Sequence, residues 1–107
     1  PERLRVPSGA MIRLKYIADN PPILAARIQQ MFGMMRTPEL GGVPITVHLL
    51  APNGRPAQVT QDLASFWINT YAEVRKDLRG RYPKHTWPED PSEAIPENRP
   101  KRKKQPS

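Results

Sequence analysis

Residues 60–80 constrain the fold more than any other part of the chain, because their apolar positions recur at helical spacing. Residues three and four apart share one helical face, and those that do so are Leu63, Phe66, Trp67, Thr70, Val74 and Leu78. Thr60 is a good N-cap, Asp62 suits the positive start of a helix, and Gly80 marks a stop. The sequence therefore predicts a helix over 60–80 whose apolar stripe, with Trp67 at its centre, is buried.

The beginning of the chain alternates apolar and charged side chains, which is typical of half-buried strands. The apolar positions are Leu4, Val6, Ile12, Leu14 and Tyr16. The cations of opposite parity are Arg3, Arg5, Arg13 and Lys15. Turn residues at 7–9 separate the two runs. We predict a β-hairpin that gathers its apolar side chains on one face and these cations on the other.

A first helix is predicted from about residue 21 to Gly33. Asn20 suits the position before a helix, and the two prolines after it are tolerated in a first turn. The apolar residues at helical spacing are Leu24, Ile28, Met31 and Met35. Residues 36–42 contain Pro38, Gly41 and Gly42, and predict a loop.

Residues 44–59 predict a second hairpin. Residues 44–50 alternate and form the first strand, and Asn53-Gly54 is a strong turn signal. A short return strand follows at 57–59, and Pro56 makes it an edge strand. The resulting order is ββαββα, which predicts an α+β domain of antiparallel hairpins covered by two helices.

The end of the chain predicts no core. Five prolines and nine charged side chains follow residue 87, with Ile95 as the one large apolar residue. Such a composition favours disorder. We therefore predict a folded domain at residues 1–88 and a proline-rich, basic, disordered tail at 89–107.

The charge balance favours a polyanionic partner. The chain has 17 Lys and Arg against 10 Asp and Glu, a net charge of +7. Residues 1–88 alone carry 12 basic and 6 acidic side chains, so the positive field belongs mainly to the predicted domain. Nucleic acid is the partner that this balance most strongly indicates.

The same composition excludes several classes of site. The chain has no cysteine, which excludes disulfides and thiolate metal sites and allows a reducing compartment. No apolar run approaches the roughly 20 residues of a membrane span, and no signal peptide pattern is present. We predict a cytoplasmic protein without a membrane partner. The chain starts with Pro1 rather than Met, so we expect it to be part of a longer protein.

Catalytic motifs are not found in the sequence. No glycine-rich loop ends in Gly-Lys-Ser/Thr. His48 and His85 are distant in sequence and have no neighbouring acid at metal-ligand spacing. Glu73 and Asp77 lie one helical turn apart among cations, which indicates a solvated charge lattice rather than an acid–base pair. We predict no catalytic residue, no metal site, no bound cofactor and no ATP hydrolysis by this chain alone.

Two basic groups are candidates for nucleic-acid binding. The first lies within residues 75–87, which also contain two aromatic side chains, and its members are Arg75, Arg79, Arg81, Tyr82 and Lys84. The second is the hairpin group defined above, Arg3, Arg5, Arg13 and Lys15. Cations there would contact phosphates, and Tyr82 or Trp87 would stack on bases. In the alternative interpretation, the aromatic residues pin an extended segment onto the core, and the cations are solvated or face an acidic protein surface.

Several long stretches resemble a known helicase family. Residues 58–67 read QVTQDLASFW, residues 71–85 read YAEVRKDLRGRYPKH, and residues 87–91 read WPEDP. Earlier pieces that look similar are residues 4–9, 22–33 and 49–56. Together they resemble the C-terminal region of HrpB-type DExH-box RNA helicases, over roughly residues 2–91.

The resemblance implies an accessory domain of an ATP-dependent RNA helicase. In that family ATP and Mg²⁺ bind two RecA-like domains that precede this region. The partners it implies are the helicase core of the same parent chain and RNA, bound weakly and without sequence preference. The domain would either contact RNA or position the core, and a purely structural or protein-docking role is the alternative. The resemblance identifies no contact residue.

Overall fold

Short strands and one long helix make up the computed structural model, which describes residues 3–94 and 96. The strands are β1 Arg3–Arg5, β2 Met11–Arg13, β3 Ile23–Arg27, β4 Glu39–Leu40, β5 Val43–Pro44, β6 Thr46–Leu50 and β7 Pro56–Thr60. The helical segments are a 3₁₀ helix at Ile28–Met31, α1 at Leu63–Ser65, a π-helical segment at Phe66–Thr70 and α2 at Tyr71–Arg81. The last three run on without a break, so the chain is α+β with one long helix rather than the predicted two.

The predicted hairpin at the start of the chain is confirmed. Strands β1 and β2 are antiparallel, with Arg3 opposite Arg13 and Leu4 opposite Ile12. Leu4 and Ile12 are half-buried, and Leu14 is buried. The prediction that Tyr16 continues the buried parity is wrong, since 53% of this residue is exposed. The alternation ends because the backbone at residue 15 pairs with β3 and the chain then turns away.

The predicted helix over residues 21–33 is wrong. Residues 23–27 form strand β3, and the helical geometry is confined to the short 3₁₀ turn that follows. Leu24, Ala26 and Ile28 are buried while Ala25 and Arg27 are exposed, so the side chains follow a period of two. The apolar positions fit a helical period of 3.6 as well as the strand period of two. Backbone pairing with neighbouring segments selects the strand. Strand β3 has β6 along one side and the Lys15 backbone on the other.

The sheet that contains β3 is mixed rather than purely antiparallel. Its order is β3-β6-β7, with β3 parallel to β6 and β6 antiparallel to β7. A parallel pair needs a crossover connection, and residues 28–45 supply it, including the small hairpin β4–β5. The predicted hairpin over 44–59 is confirmed, with β7 at the edge of this sheet. Gly54 has φ +87° and its N–H donates to the Ala51 carbonyl at 2.8 Å, as the turn requires.

The predicted long helix is confirmed, but its start is displaced. The N-cap is Asp62, whose carboxylate accepts from the Ser65 N–H at 3.0 Å. Thr60 does not cap the helix because it still belongs to strand β7. At the other end the helix continues through Gly80 to Arg81, and the Tyr82 N–H donates to the Leu78 carbonyl at 2.7 Å.

Four aromatic rings form the centre of the core. Trp67 lies 5.0 Å from Phe66, 5.3 Å from Tyr71 and 6.1 Å from Phe32, measured between ring centroids. The indole Nε1 donates to the Met34 carbonyl at 2.8 Å, so the one polar atom of the ring is satisfied. Trp67 is 7% exposed, which confirms its predicted burial.

The segment after the helix folds back onto the core. Trp87 is buried, and its indole N–H donates to the Tyr82 carbonyl at 2.8 Å. The Tyr71 hydroxyl donates to the Pro88 carbonyl at 2.7 Å. Residues 91–93 form a turn in which Pro91 is buried. Of the predicted tail, residue 95 and residues 97–107 lie outside the described residues.

Candidate nucleic-acid interface

A cationic surface of the described chain lies on one face of the first hairpin. The register of β1 and β2 places Arg3 opposite Arg13 and Arg5 opposite Met11. Lys15 has the same parity as Arg13, and all four cations are exposed. Because the side chains of a strand alternate, Leu4, Ile12 and Leu14 face the core and the cations face outward. We call Arg3, Arg5, Arg13 and Lys15 the hairpin cations.

The hairpin cations lack acidic partners within residues 3–94. The ion pair found in that range is elsewhere, between Arg81 and Asp77. Directly opposite residues in an antiparallel pair have Cβ atoms about 4.5–5.5 Å apart, and like charges there are destabilising. Arg3 and Arg13 are such a pair. An anion bound on this face would relieve the repulsion that the fold itself leaves in place.

The other basic group of the sequence lies at the end of helix α2, and we call it the helix-end group: Arg75, Arg79, Arg81, Tyr82 and Lys84. Its members differ in their contacts. Arg75 is half-buried, and its Nε donates to the Trp87 carbonyl at 2.7 Å. Arg81 lies 3.5 Å from the Asp77 carboxylate. Arg79 and Lys84 are exposed. Within residues 3–94, Arg79 and Lys84 therefore face solvent without a hydrogen bond or ion pair, whereas the Arg75 hydrogen bond holds the C-terminal segment.

Both aromatic side chains of this segment contact the domain. Tyr82 is half-buried against the core, and its ring meets His85 edge-on at a centroid distance of 6.2 Å. Trp87 is 6% exposed. These contacts support the alternative interpretation, in which the rings pin the segment to the domain, most strongly for the buried Trp87.

A groove runs between the β6–β7 hairpin and helix α2. Its volume is about 540 Å³, and Arg55 and Arg81 line it together with Glu73 and Asp77. The two carboxylates disfavour a phosphate backbone there. Arg55 was not among the predicted site residues, although a cation directly after the Asn53-Gly54 turn could have been recognised as an exposed loop charge.

A second concavity, of about 640 Å³, lies where the first hairpin ends. Its lining residues are Tyr16, Asp19, Asn20, Pro21, Pro22, Leu40, Gly41 and Val43. Sequence reasoning missed this place because the parity of Tyr16 predicts a buried ring. The signal that could have found it is the run Asp19-Asn20-Pro21-Pro22, which turns the chain away from the hairpin.

Two titrating groups have shifted pKa values. Burial raises the pKa of Tyr71 to about 12, and the positive charge of Arg75 opposes that rise in part. Hydrogen bonds from the Ser92 side chain and backbone lower the pKa of Asp90. Tyr71 belongs to the anchoring of the C-terminal segment, whereas Asp90 is exposed and its hydrogen bonds to Ser92 are local to one turn. Within residues 3–94 no three His, Asp or Glu side chains come together in a way that could hold a metal ion.

Comparison with known proteins decides the family. The family model described as the C-terminal region of ATP-dependent helicases matches residues 1–91. The chain belongs to this HrpB-type helicase C-terminal family. The match ends at Pro91, which is the last buried residue of the turn that follows Trp87.

Relatives of this helicase C-terminal domain are known in Escherichia coli. The chain is 47% identical over 104 residues to the ATP-dependent RNA helicase HrpB of strain K12. It is also similar to a crystal structure of the E. coli DExH-box NTPase HrpB, with a TM-score of 0.85 and 48% identity over 92% of this chain. A second crystal structure, of the E. coli DEAH/RHA helicase HrpB, matches 81% of the chain with a TM-score of 0.59 and 47% identity.

The helicase C-terminal domain spans a small part of these relatives. It covers 13% of the HrpB sequence and 12% and 11% of the two crystallised chains. Among its described residues, no helix is both long and apolar enough to cross a membrane.

Proposed function

We propose that this domain is the accessory domain of an ATP-dependent RNA helicase and that its hairpin cations contact the RNA backbone. One observation carries the proposal, namely four cations on one exposed strand face without an acidic partner in residues 3–94. Phosphate contacts of Lys and Arg supply most of the affinity in sequence-independent binding. The E. coli relative is named as an RNA helicase, so RNA is the polyanion that we propose.

The chemistry of ATP belongs outside this chain. The sequence contains no glycine-rich phosphate-binding loop, and residues 3–94 bring together no acidic cluster for Mg²⁺. We assign ATP and Mg²⁺ to the helicase core of the parent chain, which is also the first partner of this domain, and we propose that the parent is cytoplasmic. The role of the domain is to hold RNA weakly, without sequence preference, near that core.

The helix-end group takes a secondary part in this proposal. Arg79 and Lys84 are exposed and extend the positive surface. Arg75 and Tyr82 stabilise the C-terminal segment instead, and Arg81 forms an ion pair with Asp77. We therefore expect the hairpin cations to contribute more to RNA affinity than the helix-end group does.

Two triple variants with equal changes of charge test the proposal. The first is Arg3→Glu, Arg5→Glu, Arg13→Glu, and the second is Arg79→Glu, Arg81→Glu, Lys84→Glu. We would measure the affinity of each for labelled single-stranded RNA at low salt, after circular dichroism has shown that both remain folded. The hairpin variant should bind about tenfold or more weakly, equal to about 1.4 kcal/mol, and the helix-end variant should lose less.

If the helix-end variant loses more RNA affinity than the hairpin variant does, the main RNA contact lies at the helix end. If the folded hairpin variant binds RNA as tightly as the unmodified chain, the hairpin cations do not contact RNA. That result would favour the alternative of a docking domain whose basic face meets an acidic protein surface.

A further inference from the structure

Tyr16 is an exposed aromatic ring directly beside the hairpin cations. It follows Lys15 in the chain, and 53% of it is accessible to solvent. It lines the 640 Å³ concavity at the end of the first hairpin. The opposite wall of that concavity is the β4–β5 hairpin, which contributes Leu40 and Val43. Val43 is itself 49% exposed, so this end of the domain presents an aromatic and aliphatic surface to solvent.

The loop that carries the ring has a defined shape. The Asn20 N–H donates to the Ile17 carbonyl at 3.1 Å, and the Asn20 side chain donates to the Ala18 carbonyl at 2.9 Å. Asp19 adopts φ +64°, and the two prolines that follow restrict the backbone further. After them, the Thr46 N–H donates to the Pro22 carbonyl at 2.9 Å and joins the end of the loop to strand β6. The backbone of the loop that follows Tyr16 is therefore held in place before any ligand arrives.

We propose that this concavity receives an unstacked base of single-stranded RNA, with Tyr16 as the stacking surface. The inference rests on the proposed function, since it takes the RNA backbone to lie along the hairpin cations. Lys15 and Tyr16 are both exposed, and the strand pairing ends at Lys15, so Tyr16 is not held on the opposite strand face and a strand that crosses the end of the hairpin at Lys15 passes within reach of it. Proteins that bind single strands without sequence preference combine a basic track with such rings.

The charges around the concavity favour a base over a phosphate inside it. Asp19 is one of its lining residues, and no cation forms an ion pair with Asp19 within residues 3–94. A carboxylate repels a phosphate but accepts hydrogen bonds from the amino groups of a base. The phosphates therefore remain with Arg13 and Lys15 outside, and the base is the part of the nucleotide that enters.

The variants Tyr16→Ala and Tyr16→Phe test this inference. The affinity for a labelled single-stranded RNA, and for the same oligonucleotide with abasic positions, would be measured over a range of salt concentrations. Tyr16→Ala should weaken binding to intact RNA by about 5- to 150-fold, which is the range of one lost stacking contact. Tyr16→Phe should bind like the unmodified chain, because it keeps the ring.

The salt dependence separates this inference from the proposed function. Stacking involves no released counterions, so Tyr16→Ala should leave the slope of log K against log salt unchanged. It should also leave binding to the abasic oligonucleotide unchanged. Ile68→Ala, which removes another exposed apolar side chain, at the solvent-facing side of the long helix, is the matched control and should have no effect.

Each contrary outcome overturns a different statement. If Tyr16→Ala binds intact RNA normally while the triple arginine variant of the hairpin is weakened, the base site is wrong and the phosphate surface stands. The base site is also wrong if Tyr16→Ala weakens intact and abasic RNA equally. If neither variant is weakened, the base site is wrong and the proposed function fails as well.

Discussion

At the scale of single residues, Trp67 and Tyr71 join the parts of the domain. Trp67 contacts the rings of Phe32, Phe66 and Tyr71 and donates a hydrogen bond to the Met34 carbonyl. The π-helical segment at Phe66–Thr70 lies between α1 and α2, and its closing bond runs from the Tyr71 N–H to the Phe66 carbonyl. This wider turn brings Phe66, Trp67 and Tyr71 onto the core side of the helix.

The first prediction concerns the indole of Trp67. Replacing a buried Trp with Ala typically costs about 3–5 kcal/mol, because apolar contacts are lost and a cavity remains. We expect Trp67→Ala to lower the free energy of unfolding by about that amount, as measured by denaturant titration. Ile68→Ala should change it by about 0.5 kcal/mol or less, since Ile68 is 80% exposed. Equal effects of the two changes would contradict the described core.

The second prediction concerns the pH dependence that Tyr71 creates. Its pKa is about 12 in the folded chain, against an ordinary value of 10.0. Between these values the unfolded chain loses the phenolic proton while the folded chain keeps it, so stability is complete below pH 10 and falls as the pH rises to 12. The loss should be on the order of 2 kcal/mol.

Tyr71→Phe isolates this contribution from the titration of Lys and Arg. At neutral pH the free energy of unfolding of the variant should be about 1 kcal/mol lower, because it lacks the hydrogen bond from the Tyr71 hydroxyl to the Pro88 carbonyl. Its stability should then decline less between pH 10 and 12 than that of the unmodified chain. Parallel declines in the two proteins would show that Tyr71 titrates normally.

At the scale of elements, the sequence pattern correctly predicted the elements whose conformation depends on residues close by in the chain. The long helix has one apolar stripe that fits a period of 3.6 and no other, so it was predicted. The first hairpin was predicted from its alternation of apolar and charged residues, and the second from the turn signal Asn53-Gly54. Residues 23–28 fit two periods at once, and only pairing with β6 and with the backbone of Lys15 selects the strand. Such pairing partners are distant in sequence, so the pattern alone could not choose.

The third prediction concerns the segment after the helix. Arg75 donates from Nε to the Trp87 carbonyl, so its removal should release a charge-assisted hydrogen bond worth about 1.5–3 kcal/mol. We expect Arg75→Met to lower the free energy of unfolding by about that amount. Arg79→Met removes the same charge from an exposed position of the same helix, and should change stability by about 0.5 kcal/mol or less. A stability loss in Arg79→Met as large as in Arg75→Met would mean that charge alone is responsible.

At the scale of the whole molecule, the position of charge distinguishes the two basic groups. The sequence pattern favoured Arg79, Arg81 and Lys84 as RNA contacts and the hairpin cations only after them, since composition does not tell an exposed cation from an engaged one. The fold separates them. Arg75 is hydrogen-bonded to the C-terminal segment and Arg81 is paired with Asp77, whereas Arg3, Arg5 and Arg13 lie on one outer strand face. Tyr16 was missed because its exposure depends on where the chain leaves the hairpin.

The fourth prediction follows from this placement, and it measures how many phosphates the hairpin neutralises. The variant replaces all four hairpin cations with glutamine, and both proteins bind the same single-stranded RNA at a series of salt concentrations. Each phosphate contact on a single strand contributes about 0.7 to the slope of log K against log salt. We therefore expect the slope to fall by up to about 2.8 in the folded variant. An unchanged slope with unchanged affinity would contradict the assignment of this face to RNA.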